Sequence, residues 1–403
     1  EGAYLAPSFF IFIAMKSTAR YISIILFIVI CSKASFGQFE LNERCLRSYQ
    51  EIINLRLDEG QMLLNQEKLE NPENKFTVLL ENYIDFLKII ISEEEEEFKS
   101  RKEFKDQRID VLESACQESP FYLFSMAQIN LQWAFARIKF GEFVRAAIEV
   151  QRSYHYLEKN AELYPNFRPN KLAMGMMDVL IGSIPDKYKW IAGLFSMRGS
   201  IETGVSKINT FIIESNQDNH NFLLPEALFF LGFVHINLLA DEQKPIPFEH
   251  EYDSLSAISP LVAFAYGRLL MSKSRNEDAI NIFENCPDGK EYFSFLYLDY
   301  LTGLCFLHEL DPEARKYFYT YVSNFKGKNY IKEAYQRIAW SYLISGDSVG
   351  YRNSMKKVIN YGYTETDGDK LALKEAESKT FPNVRILKAR MLFDGGYFQE
   401  SIS

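Results

Sequence analysis

The sequence predicts an all-α fold, a solenoid of antiparallel helix hairpins. Three observations predict it. Small residues recur at a fixed step: Gly267, Gly303 and Ala339 stand 36 residues apart. Each is followed three residues later by an apolar or aromatic side chain (Leu270, Phe306, Tyr342), then a break, then a second amphipathic stretch. No run of alternating β-branched residues calls for a sheet. A step of this size marks helix–turn–helix arrays, in which each hairpin buries its apolar face against its neighbours. The small residue is needed where two helices cross closely, because a larger side chain would force the backbones apart.

The front of the chain reads separately from the array. Residues 1–14 contain no methionine, are apolar, and read as an upstream extension that is not native protein. Residues 15–37 read as a signal peptide. Met15, Lys16 and Arg20 form a basic start, Tyr21–Cys31 an apolar core, and Ala34-Ser35-Phe36-Gly37 a cleavage site before Gln38. The core is shorter than the ~20 residues a spanning helix needs; an uncleaved anchor is the alternative. Cys31 would suit lipidation, but Ile30 occupies the place of the required small residue. The expected location is therefore exported, in the periplasm or cell envelope of a Gram-negative bacterium. Membrane association would come only through an uncleaved signal.

Residues 38–240 read as an N-terminal helical region. Asn42–Gln66 has the pattern of one amphipathic helix, broken by Glu70-Asn71-Pro72-Glu73-Asn74. Phe76–Ser92 is an apolar helix and a charged helix runs from there to about Cys116. Ser119-Pro120 opens the hairpin of Trp133 and Phe143, which ends near Pro165. A divergent hairpin spans 170–215. Within it Gly175–Gly204 is punctuated by Pro185 and Gly199, and Ser200 suits a helix cap. This stretch reads either as a hydrophobic plug or as a groove- or membrane-facing element bearing Trp190. Pro225 opens another helix. Leu239–Ser259, with Pro245 and Pro247, reads as the longest irregular stretch and a hinge. Residues 253–403 read as a C-terminal array of four hairpins, truncated in the last repeat.

The positions assigned to repeat packing are Gly60, Trp133, Ala146, Gly232, Gly267, Ala279, Gly303, Ala314, Ala339, Gly346, Ala389 and Gly396. The fragments Ala389–Ser401 (A-R-M-L-F-D-G-G-Y-F-Q-E-S) and Trp133–Ala146 (W-A-F-A-R-I-K-F-G-E-F-V-R-A) carry the pattern most fully. Gly60–Pro72 has the form of a second helix with a closing proline, and Leu231-Gly232 with His235 that of a first helix. On these residues the chain resembles the tetratricopeptide repeat family over most of its length after residue 40, although no single repeat carries every consensus position. The Gly175–Gly204 stretch departs from the repeat and is similar to a segment of a eukaryotic family of tetratricopeptide proteins. The resemblance implies that the first helix of each hairpin lines a groove, which draws attention to 128–137, 229–237, 268–273, 297–306 and 337–341. Trp190 and His235 are the named candidates for that groove.

The chain has 45 basic and 54 acidic side chains, a formal net charge of −9, with no basic face for nucleic acid. Aromatic residues make up 15 % and read mainly as helix-interface filling. None of His155, His220, His235, His250 and His308 forms a zinc-protease pair with a glutamate, and the cysteines Cys45, Cys116, Cys286 and Cys305 fit no metal spacing. Cys286 and Cys305 are either buried thiols or a disulfide between adjacent hairpins. Glu93–Glu97 reads as a solvated face paired with Lys99, Arg101 and Lys102. Thr366–Asp369 reads as a turn and cap, since the calcium-loop acids are missing. No phosphate loop, nucleophile elbow, metal or cofactor motif is present. The expectation is a non-catalytic scaffold holding a protein or peptide partner. A receptor's sensory region and a small-molecule or glycan binder are the alternatives.

Overall fold

The computed structural model of the chain describes residues 38–184, 197–215, 221–239 and 244–402. The upstream extension, the signal segment and Trp190 lie outside the described residues. Nineteen helices and no strand occur among the described residues. They succeed one another as α1 (Glu43–Ile53) and α2 (Leu57–Glu70), α3 (Phe76–Ser92) and α4 (Glu95–Glu113), and α5 (Pro120–Lys139) and α6 (Phe143–Leu163). Then come α7 (Pro169–Gly182) with α8 (Ile201–Ser215), α9 (Leu224–Val234) and α10 (Glu249–Ser256). The second half holds α11 (Pro260–Ser272) with α12 (Asn276–Glu284), α13 (Tyr297–His308) with α14 (Ala314–Asn324), and α15 (Ile331–Ile344) with α16 (Ser348–Asn360). It ends in α17 (Asp367–Ser378) and the short hairpin of α18 (Val384–Asp394) and α19 (Phe398–Ser401). Helices pack mainly within pairs and against the next pair.

Six hairpins share one turn. A residue in the left-handed region stands seven positions after a small one: Leu55 after Ser48, Gly141 after Ala134, Ser274 after Gly267, Leu310 after Gly303, Gly346 after Ala339 and Gly396 after Ala389. In each, that residue's N–H donates to the carbonyl three residues back, and the next N–H donates to the carbonyl five residues back. Gly346 to Leu343 at 3.0 Å and Asp347 to Tyr342 at 2.9 Å are one instance. The longer bond satisfies a carbonyl that the helix end would otherwise leave bare. Ser274, Leu310 and Gly346 thus repeat the 36-residue step of the small residues before them. The small residue lets the second helix come close. A Cβ on Gly303 would lie 3.0 Å from the Phe318 ring, and one on Gly60 would lie 2.6 Å from Ile52.

Local chemistry fixes the helix starts. Asn42 accepts from the Cys45 N–H at 2.9 Å, Ser200 from Thr203 at 3.1 Å, and Asp347 from Val349 and Gly350 at 3.0 and 2.8 Å. These short polar side chains stand in for the missing turn of carbonyls. Ends are also capped from other helices. The buried carboxylate of Asp369, on α17, accepts from the backbone of Tyr330 and Glu333 at 2.8 and 3.1 Å at the start of α15. Lys332, on α15, donates to the carbonyls of Val358 and Tyr361 at 2.7 and 3.0 Å at the end of α16.

Three expectations change. The stretch Asn42–Gln66 is two helices, because Leu55 is fully buried in the left-handed turn and its carbonyl accepts from Phe293 at 2.7 Å. Leu239–Ser259 is not irregular throughout. It contains α10, anchored by Tyr252, whose ring stacks on Tyr266 and whose hydroxyl reaches the Leu228 carbonyl at 2.5 Å. The last hairpin is not next in line after α15 and α16, since α17 intervenes and α18 turns back onto α13 and α15. Of the two readings of Cys286 and Cys305, the free thiols hold and the disulfide does not.

Contacts also cross the molecule. Tyr49 and Tyr83 donate to Glu226 on α9 at 2.9 and 3.0 Å. Ser259 reaches the Ile53 carbonyl at 3.4 Å, Asn329 reaches Glu93 at 2.6 Å, and Lys328 pairs with Glu95 at 2.8 Å. Stacking against sequence neighbours alone makes no such bonds.

Candidate interaction surface

The face made by the first helices α13 and α15 carries an occupant. Helix α18 packs against both. It buries Leu387 and Met391, one turn apart on one side, while Ile386 and Phe393 stay exposed. The Arg390 guanidinium sits 5.7 Å from the ring centre of Trp340 on α15, and Arg337 sits 4.3 Å from the same ring. Cations at such distances are drawn to the ring's negative face. The indole N–H of Trp340 donates to Glu375 at 2.9 Å, which holds the ring in place.

The far end of the hairpin is held by polar groups. Tyr397 donates its hydroxyl to Glu309 and accepts from the Asn276 amide at 3.3 Å. That amide also reaches the Cys305 carbonyl at 3.0 Å, and His308 Nδ1 lies 3.4 Å from the Asn276 oxygen. Gly395 passes so close to His308 that a Cβ there would lie 2.8 Å from the histidine Cβ.

Burial holds the His308 imidazole down at about 4, from an ordinary 6.5, and the Arg337 charge adds to the effect. The unfolded chain takes up this proton as the pH falls through 6.5, whereas the folded chain resists until about 4. The contribution of neutral His308 is therefore complete above that window and is lost as the pH drops through it. We expect a loss on the order of 3 kcal/mol by pH 4, and a smaller loss in His308→Gln. Urea midpoints of both proteins at pH 7 and pH 4.5 check this; equal losses would mean that the imidazole is solvated.

A second polar feature lies between α4, α5 and α6. A cleft of about 300 Å³ is lined by Lys105, Asp106, Arg137, Arg145, Glu149 and Arg152. Lys105 and Glu149 have side chains only 3 % and 5 % exposed. One Glu149 oxygen takes the Arg137 Nε at 2.8 Å and lies 3.3 Å from the Lys105 ammonium. Arg137 also bonds Glu142. Beside this, Asn82 on α3 donates to Gln132 at 2.7 Å and accepts from Trp133 at 2.9 Å and Arg108 at 3.1 Å. A wider hollow of about 660 Å³ lies along α6, α7 and α8. Two of its bases are paired, Lys171 with Glu214 and Lys207 with Asp178.

The residues singled out in the sequence are placed as follows. Gly267, Ala279, Gly303, Ala314 and Ala339 lie in the crossings of the C-terminal hairpins, with Phe283 over Gly267 and Phe318 over Gly303. Gly346 and Gly396 are turn residues with φ of 85° and 89°. Gly232 packs between Ala265 and Tyr252, Trp133 and Ala146 are buried on α5 and α6, and Ala389 is only partly buried. His235 starts a π turn that extends α9 and packs against α11. Sequence patterns do not mark Trp340 as one site with Arg390 and Tyr397, because it belongs to a different hairpin.

Burial pushes the Cys45 and Cys286 thiols up to about 12 and raises Cys305 further, which suppresses the reactive thiolate. Among the described residues no group of histidine, cysteine and acidic side chains could hold a metal, and no helix is long and apolar enough to cross a membrane. Comparison with protein-family models, curated proteins and solved structures finds no match to this chain.

Proposed function

We propose that the chain is a non-catalytic protein-interaction scaffold, a divergent member of the tetratricopeptide class whose hairpins wind as a right-handed solenoid. In this reading the first-helix face holds a helical segment of a partner protein. The observation that carries it is α18, a short helix that packs on α13 and α15, buries Leu387 and Met391 and sets Arg390 on the Trp340 ring. A surface that accepts one such helix has the apolar contacts and polar rim that helix recognition uses. The recurrent seven-residue interval between small residue and left-handed turn supports the repeat reading. The signal-like residues 15–37 support export to the cell envelope.

Displayed helical peptides panned against the folded protein test the reading. We expect enrichment of helices with apolar residues one turn apart, and loss of their binding, by at least tenfold, to Arg337→Glu. No enrichment, or binding indifferent to that substitution, would overturn it.

A further inference from the structure

We propose that the cleft between α4, α5 and α6 is a binding site for a small oxyanion that still carries a proton, and that inorganic phosphate is the ion it fits. The site is built on other helices than the α13–α15 face, so it does not rest on the scaffold reading.

Charge in the cleft runs against that of the chain. The chain has a net charge of −9. Yet the lining holds four bases, Lys105, Arg137, Arg145 and Arg152, against two acids, Asp106 and Glu149. Glu142 pairs with Arg137 and lies 3.7 Å from Arg145, and the bases remain in surplus after it is counted. Two of the four are held out of water, since the Lys105 and Arg137 side chains are only 3 % and 8 % exposed. A charge with little water around it acts strongly on an anion. Lys105 carries three donors. Its ion-pair partners are Glu149 Oε1 at 3.3 Å and exposed Asp106 at 3.6 Å, both longer than a well-formed N–H···O bond. Arg145 and Arg152 are the exposed members of the lining. They stand two turns apart on α6, on the side that also carries Glu149. A guanidinium presents paired donors that match a tetrahedral oxyanion. The cleft, at about 300 Å³, has room for such an ion, since a water takes about 30 Å³ of the liquid.

Glu149 makes the cleft selective. Its Oε1 accepts from Arg137 at 2.8 Å, whereas Oε2 is buried and meets no donor among the described residues. A buried acceptor left bare is costly, so this carboxylate favours a ligand that brings a donor. An ionised carboxylate can only accept. It repels an ion made wholly of bare oxygens and takes a hydrogen bond from one with an O–H. Phosphate keeps at least one O–H at neutral pH, and sulfate keeps none. The bases thus attract any oxyanion, and Glu149 discriminates between them.

The test is calorimetric titration of the full chain at pH 7 and fixed ionic strength with sodium phosphate and with sodium sulfate. We expect phosphate to bind at one site, at least tenfold more tightly than sulfate. Arg145→Gln with Arg152→Gln changes only exposed side chains and should weaken phosphate binding at least tenfold. Glu149→Gln adds a donor at the selective position and should erase the preference, so that sulfate binds as well as phosphate. Equal affinity of the wild-type chain for the two ions would reduce the cleft to a patch of charge and overturn the proposal. So would an absence of phosphate binding, binding indifferent to the two arginine substitutions, or a preference that survives in a folded Glu149→Gln variant. Should Glu149→Gln fail to fold by circular dichroism, the arginine variant and the wild-type ratio of phosphate to sulfate affinity decide. Pelleting of the chain with phosphatidate vesicles, without binding of free phosphate, would assign the cleft to a lipid headgroup and also overturn the proposal.

Discussion

Gly204→Leu will destabilise the protein by about 3 kcal/mol, read as a lower urea midpoint by circular dichroism. Gly204 sits where α8 crosses α7. A Cβ there would lie 2.5 Å from the Gly175 carbonyl oxygen and 2.8 Å from the Val179 nitrogen. Those are backbone atoms of a buried helix and cannot swing aside as a side chain can. Gly175 faces the same crossing, with the Gly204 oxygen 3.0 Å from where its own Cβ would be. Two backbones touch because neither residue brings a side chain. Gly204→Ala should lie between wild type and the leucine variant. A leucine variant within about 1 kcal/mol of wild type would show that the two helices do not cross there.

Glu149→Leu will cost about 3–5 kcal/mol, and a triple replacement, Lys105→Met, Arg137→Met and Glu149→Leu, will regain most of it. The carboxylate is the shared acceptor for the Arg137 guanidinium and the Lys105 ammonium, both nearly removed from solvent. Taking it away leaves Lys105 buried with only exposed Asp106 nearby, at 3.6 Å. Arg137 retains Glu142, which keeps the loss from being larger. Replacing all three by apolar groups removes the charges together with their desolvation, so the recovery tests the electrostatic origin directly. Equal destabilisation in the single and triple variants would locate the cost in packing instead.

Much of the helical order is legible in the chain because it is local. Phe76–Ser92 and the hairpin opened by Ser119-Pro120 follow from apolar periodicity and capping residues alone. The break at Leu55 is not legible, since a leucine in a left-handed turn carries none of the glycine signal that marks Gly346. Helix α10 is hidden behind Pro245 and Pro247; what orders it is Tyr252 reaching a carbonyl 24 residues earlier. The path of α18 is hidden for the same reason. Its apolar residues lie on both sides, and only the tertiary fold says that Leu387 and Met391 are the ones buried where it packs on α13 and α15. The candidate surface inherits this limit. Trp340 reads as a buried aromatic of one hairpin until Arg390, 50 residues on, is found beside it. The charged cleft is equally silent, because Lys105, Arg137 and Glu149 are ordinary surface residues by local pattern and meet only when three helices assemble.

A string of hairpins that touched only its neighbours would fray from its ends, each unit melting at its own temperature. The bonds that Ile53, Leu55, Glu93 and Glu95 make with 259, 293, 329 and 328 join residues more than two hundred positions apart. Opening the first hairpins therefore strips partners from the middle of the second half. The two halves should lose structure in one cooperative step, and protection against proteolysis near residue 50 should rise and fall with protection near residue 325.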